Sequence, residues 1–294
     1  MPTPKPIMAP SAVATSGAYG ALYYSVLAQT RAVDEIIVVD DGSTDSTVDL
    51  LLANYPQVKL LQQPNLGVSA ARNHGIREAS SDWIALLDSD DRWLPTKLEA
   101  QVALVEQRPD HRLCHTEEIW IRNGKRVNQM DKHRKSSSHI YSQCLPLCVI
   151  SPSSVLLHRT LFDEIGLFDE TLPACEDYDL WLRICAREPV LFVDTPQIEK
   201  YGGHDYQLSS KHWGMDRFRI RALEKVLAND LLTPDQDRET VAMLLRKAAI
   251  LEQGARKRGK LQRADHYRQL IQRYAGQSGS GQEGRMPGYG AESA

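Results

Sequence analysis

The sequence predicts an α/β protein built on a mainly parallel sheet flanked by helices. Two short apolar runs with aspartates at their ends predict it. Residues 36–39 (IIVV) and 84–87 (IALL) are continuous, apolar and bounded by polar residues, as strands buried on both faces are. The first ends at Asp40-Asp41-Gly42-Ser43, after which Thr44 or Asp45 is placed to cap a helix running through Leu52. The second ends in Asp88, Asp90 and Asp91. A helix over 96–108 follows it, amphipathic through Leu98, Val102 and Val105 and closed by Pro109-Asp110. Open α/β sheets bind ligands beyond the carboxyl ends of their strands, so two strands ending in aspartates imply one shared crevice.

The chemistry expected there follows from the residue types. If the backbone stays extended past Leu87, alternation puts Asp88 and Asp90 on one side. Hard carboxylate oxygens at that spacing suit Mg²⁺ or Mn²⁺, which are held by a few carboxylates together with phosphate oxygens. The alternative is an acidic turn capping the next helix. Asp40 and Asp41 are suited to accept hydrogen bonds from a base or a ribose; the alternative for them is turn chemistry alone, since Asp-Gly-Ser is a common loop.

The other elements follow in order. Prolines at positions 2, 4, 6 and 10 deny a central strand its ladder donors, leaving a short strand at 7–9 and a helix over 19–28. Residues 113–121 read as a strand and 123–138, ending KHRKSSS, as a polar, mobile loop. A turn and strand over 149–158 bring Ser153 and Ser154 near an acceptor cleft. A short helix over 161–165 then leads to the GLFDE turn, and 190–193 form a further strand. Glu176-Asp177 stand where a helix N-terminus would welcome negative charge. His204 follows two glycines that let a loop approach phosphate closely, although a lone loop histidine is otherwise a surface residue. From 216 the pattern is helical to about 274, with a basic stretch over 246–273, and the Gly- and Ser-rich residues 275–294 read as a disordered tail.

Several of these segments together resemble the family 2 glycosyltransferases, inverting enzymes with a GT-A fold. They are VVDDGSTD, NLGVSAARNHGI, LLDSDD, SSVLLHR followed by GLFDE, and CEDYDLWLR, in the family's order over about residues 25–210. The resemblance implies a GT-A domain over 1–215, with a nucleotide-binding half to about 110 and an acceptor half after it. A helical appendage over 216–274 would complete the chain. It also implies roles. Asp41 with Asp40 would contact the base and ribose, and Arg72 would stand near the donor. Asp88 would serve both substrate and metal, with Asp90, Asp91 and His204 as further metal residues. Asp177, beside Glu176, would be the catalytic base. The N-terminus departs from the family, which carries an apolar strand ending in a Pro-x-Tyr/Phe-Asn-like turn where this chain has PKPIMAPSAVATSGAYG.

Composition bounds the rest. At 294 residues the chain can bury a sizeable core, and a formal net charge of −3 gives no nucleic-acid footprint. Five cysteines without a paired C-x-x-C arrangement point to reduced structural thiols. No apolar run approaches the length needed to span a bilayer, and the N-terminus lacks a signal peptide's apolar core, so a cytoplasmic protein is expected. The basic last helix leaves two readings, contact with anionic lipid at the inner membrane face or a solvated hairpin. The functional expectation is metal-dependent inverting transfer of a single sugar from a nucleotide-sugar, by family habit a UDP-sugar, to a glycan or lipid-linked acceptor hydroxyl. The processive members' Gln-x-x-Arg-Trp motif is absent. The unusual first strand keeps a catalytically impaired nucleotide-sugar-binding or scaffold protein open. A phosphotransferase is weaker, since no P-loop accompanies the aspartates.

Overall fold

The computed structural model describes residues 11–13, 24–203 and 212–277. A first sheet is parallel, in the order β1 (Ser11–Val13), β2 (Ile37–Asp41), β3 (Lys59–Gln63), with helix α1 (Thr47–Asn54) crossing between β2 and β3. Next come α2 (Val68–Glu78), β4 (Trp83–Ala85), β5 (Asp91–Trp93), α3 (Lys97–Gln107), β6 (Leu113–Arg122), β7 (Lys125–Val127), α4 (Tyr141–Cys144), β8 (Leu156–His158), α5 (Thr160–Ile165), α6 (Glu176–Cys185) and β9 (Leu191–Gly202). The second sheet runs β4-β8-β6-β9-β5, with β7 paired to β6. Three helices end the described chain: α7 (Asp216–Ala228), α8 (Pro234–Lys257) and α9 (Leu261–Gln277).

Alternation along the strands builds a three-layer sandwich. Ile37, Val39, Ile84 and Leu86 face one core, shared with Ala71 and Ile76 of α2 and with Trp181 and Leu182 of α6. Ile36, Val38, Ala85 and Leu87 face a second core with Leu51 of α1 and Leu98 and Val102 of α3. Burial on both faces is why these runs are apolar at every position rather than at every second one. The helices from 216 onward contribute Phe218, Leu223, Leu244, Ala248, Leu251, Tyr267 and Leu270 to the first core, and so pack on the sheet domain through α6.

Four local expectations change. The strand at 84–87 is not part of a parallel pair: β4 is antiparallel to β8, with Ile84 opposite Leu157. The second sheet is mixed, parallel only between β6 and β9. The loop at 123–138 is partly built: β7 turns back on β6, and Lys135 is buried against Glu117 and Glu118, each 3.2 Å away. The strand expected at 190–193 continues to Gly202, because Pro196 sits at a register shift opposite Glu117, where a missing ladder donor costs nothing. The strand expected at 7–9 lies outside the described residues, and the strand that pairs with β2 is Ser11–Val13. Of the helix expected over 19–28, residues 24–27 are described and helical.

Candidate active site

Most of the candidate carboxylates are placed by the end of an element. At the end of β2, Asp40 (3% exposed) accepts from the Ser43 backbone N–H at 3.2 Å, forming the turn at Gly42. Gly42 has φ +79°, and a Cβ there would stand 2.8 Å from the Asn65 backbone nitrogen. Only glycine meets both demands. Asp41 accepts from Leu66 N and Gln63 Nε2 at Oδ1 and from Gly67 N at Oδ2, all at 2.8 Å. Its carboxylate therefore ties the carboxyl end of β2 to the N-terminus of α2.

Helix α2 then presents two polar residues inward. Arg72, 4% exposed, donates from Nη2 to Asp88 Oδ1 at 2.5 Å and from Nη1 to Glu176 Oε1 at 2.8 Å, with its guanidinium 5.2 Å from the Phe168 ring centroid. Asn73 beside it donates to the Phe168 carbonyl (2.9 Å) and accepts from Phe168 N–H (3.0 Å). Arg183 of α6 donates to the carbonyls of Ile165 and Leu167. The GLFDE turn is thus held between α2 and α6, and the R-N pair joins three segments that lie far apart in sequence.

The D-S-D-D segment does not stay extended. Asp91 N–H bonds back to the Asp88 carbonyl at 3.0 Å, closing a turn, so the alternation expected for Asp88 and Asp90 does not apply. Asp88 points to Arg72 and keeps 26% of its side chain exposed; Asp90 is half-buried in the turn. Asp91 points into the fold, accepting from Ser153 Oγ (2.6 Å) and from Tyr201 N–H (3.2 Å), and burial, with Asp90 beside it, raises its pKa well above the usual carboxylate range. Ser153, fully buried, also accepts from Asp88 N–H at 3.0 Å. It is a strut beneath the turn and does not line a cleft, and Ser154 is likewise fully buried with its hydroxyl on the Ser151 carbonyl.

Helix α6 begins at Glu176, directly after Cys175 in the left-handed region at φ 62°. That conformation is uncommon for a residue with a Cβ and marks a constrained helix start. Glu176 is 7% exposed at its side chain. Burial and then Asp177 push its carboxyl up, with Arg72 opposing. Asp177 is half-buried; its Oδ1 accepts from Tyr178 N–H (2.7 Å) and its Oδ2 from Cys148 Sγ (3.2 Å). Lys200 of β9 donates to Ser151 Oγ at 2.7 Å. It lies within the field of Glu118, Asp91, Cys148 and Asp177, which raises its pKa although burial opposes the charge. Cys148 and Lys200 carry no sequence signal. One sits in a loop, the other on a strand whose length the sequence hides.

Arg72 therefore brings Asp88 and the Glu176-Asp177 pair together, and α2 connects both to Asp41. His204 lies outside the described residues. Among the described residues no three His, Cys, Asp or Glu side chains are grouped to hold a metal by themselves. Asp88 and Asp90 stay partly exposed, whereas Asp91 is turned into the fold. All five cysteines are free thiols, and no described helix is long and apolar enough to cross a membrane.

Comparisons with known proteins bear on the family and the fold. The family model described as "Glycosyl transferase family 2" matches residues 20–166. An uncharacterized glycosyltransferase of Rickettsia typhi is 31% identical over 191 residues, which cover 63% of this chain and 60% of that protein. The Escherichia coli UDP-Glc:alpha-D-GlcNAc-diphosphoundecaprenol beta-1,3-glucosyltransferase WfgD is 36% identical over 162 residues, 54% of this chain and 61% of that protein. The chain thus spans less than two thirds of these relatives. The crystal structure of S. aureus TarS residues 1–349 in complex with UDP-GlcNAc superposes with a TM-score of 0.61 at 19% identity, covering 82% of this chain and 71% of that one. The α/β fold is shared with that structure, and by its sequence this chain belongs to glycosyl transferase family 2.

Proposed function

We propose that this protein transfers a single sugar from a nucleotide-sugar to an acceptor hydroxyl with inversion, with Asp177 as the base. The observation that carries the reading is the double engagement of Arg72 by Asp88 and Glu176, which joins Asp88 and the α6 pair. Inversion in one step needs one base and no nucleophile. Asp177 is the partly exposed member of its pair, whereas Glu176 is buried and committed to Arg72. The division of labour follows: Asp177 takes the acceptor's proton, and Glu176 fixes Arg72 beside Asp88. Asp40, Asp41 and the turn at Gly42 would form the nucleotide end of the crevice.

Asp88 and Asp90, with His204, would hold Mn²⁺ or Mg²⁺ against the donor diphosphate, which supplies charge neutralisation for the leaving group when bound. A UDP-sugar donor is supported by the UDP-GlcNAc complex of TarS and by the UDP-Glc donor in the name of the E. coli relative. That name also supports a lipid-linked acceptor. A peripheral place at the inner membrane face would then rest on charge, because Ala264, Tyr267 and Leu270, the apolar side of α9, are buried in the protein. Hydrolysis of UDP-glucose and UDP-GlcNAc with and without Mn²⁺ tests the reading. Asp177→Asn is expected to lower turnover about a hundredfold or more while leaving donor affinity in place. Donor binding without turnover in the wild type would favour the binding or scaffold reading instead.

A further inference from the structure

Resting on the reading of Asp177 as the base, we infer that Cys148 is a positioning residue for it, holding the carboxylate through a thiol hydrogen bond. Cys148 lies in the segment between α4 and β8, and its Sγ is 3.2 Å from Asp177 Oδ2 and 3.2 Å from the Ile150 carbonyl. Oδ1 of the same carboxylate accepts from Tyr178 N–H at 2.7 Å. The thiol has one proton for two acceptors at equal distance, and the charged carboxylate is the stronger of them. Each oxygen of Asp177 then has one donor from a different part of the chain, and the two together fix the plane of the carboxylate. The remaining lone pairs of Oδ2 are left in a set direction for an incoming hydroxyl. A carboxylate held by a single donor would rotate about its Cβ–Cγ bond.

The thiol stays a donor because burial, with Asp177 adding to it, pushes its pKa well above the usual thiol range. Among the described residues, the charged and titratable groups facing this pair come from every neighbouring element. They are Lys200 of β9, Cys144 of α4, Arg219 of α7, and Glu176, Cys175 and Tyr178 of the α6 segment. Of these, Lys200 and Glu176 meet Asp177 through charge, whereas the thiol touches it. Removing the thiol leaves the carboxylate with the Tyr178 N–H alone and frees its rotation.

The experiment compares Cys148→Ala and Cys148→Ser with the wild type in Mn²⁺-supported hydrolysis of UDP-glucose and UDP-GlcNAc. Cys148→Ala is expected to lose about three- to tenfold in kcat with donor KM unchanged, the worth of one modest hydrogen bond. Cys148→Ser keeps a donor and should recover most of that loss. Wild-type kcat in Cys148→Ala would overturn the inference, as would a Cys148→Ser enzyme impaired as far as the alanine variant. Should Cys148→Ala fail to fold, Cys148→Val fills the space without a donor and carries the same comparison. Full turnover in Asp177→Asn would instead overturn the assignment of the base itself.

Discussion

Replacing Arg72 by methionine puts the joint between Asp88 and Glu176 to the test. The guanidinium is 4% exposed and bonds both carboxylates, so two ion pairs disappear at once. At a charge separation of about 4 Å and an effective dielectric of about 20, each pair is worth about 4 kcal/mol before desolvation is counted. The Asp88 side chain keeps 26% exposure, and water can take over part of Arg72's role there. Glu176, 7% exposed, has no such relief, so most of the cost falls on it. Leaving one buried charge unpaired costs about 3–5 kcal/mol, and this is the loss expected at pH 8. Protonation offers Glu176 an escape. Its carboxyl is already raised by burial and by Asp177, and losing Arg72 raises it further. A carboxyl with a raised folded-state pKa contributes stability at low pH and loses it as pH climbs past its unfolded value towards the folded one. The deficit of Arg72→Met should therefore shrink from pH 8 to pH 5, and Glu176→Gln should recover part of it at pH 8. Urea unfolding of the wild type, both single variants and the double variant at the two pH values measures each quantity. A deficit below about 1 kcal/mol at pH 8, or strict additivity of the two substitutions, would refute a buried Arg72–Glu176 pair as the joint of this site.

Other consequences can be measured directly. Lys97 is fully buried, with Nζ on Gln101 Oε1 at 2.7 Å, and burial brings its pKa down to about 7. A depressed lysine leaves the unfolded state holding the extra proton, so stability should climb between about pH 7 and pH 10, and Lys97→Met should flatten that slope in thermal melts. Gly42→Ala meets both a positive φ and a backbone atom 2.8 Å from the new Cβ. It should cost about 1–3 kcal/mol and weaken UDP-sugar binding by calorimetry, since the turn carries Asp41. If charge alone holds the last helix to a membrane, flotation with anionic liposomes should be lost at high salt; salt-insensitive flotation would contradict that account.

The elements nearest the site were the most legible, and for one reason. Residues 36–39 and 84–87 are buried on both faces, so their composition cannot be anything but apolar, and the aspartates after them mark where the sheet meets water. The helix starting at Glu176 and the helix closed by Pro109 obey local rules of the same kind. Local rules failed where a distant segment decided the outcome. Strand β9 runs across Pro196 because β6 shifts register there, and no property of the PQIEKY stretch alone announces it.

Sequence by itself thus determined the layered α/β class, the aspartate-bearing strand ends and the acidic pair opening α6, because burial and capping act on neighbours in the chain. Tertiary structure alone decided what each carboxylate does. Asp41 became a clamp on α2, Asp91 turned inward to Ser153, Asp88 turned to Arg72, and Asp177 received a thiol from Cys148. A carboxylate's role depends on which donors reach it, and those donors come from residues tens of positions away, brought close only when the sheet and its helices have packed.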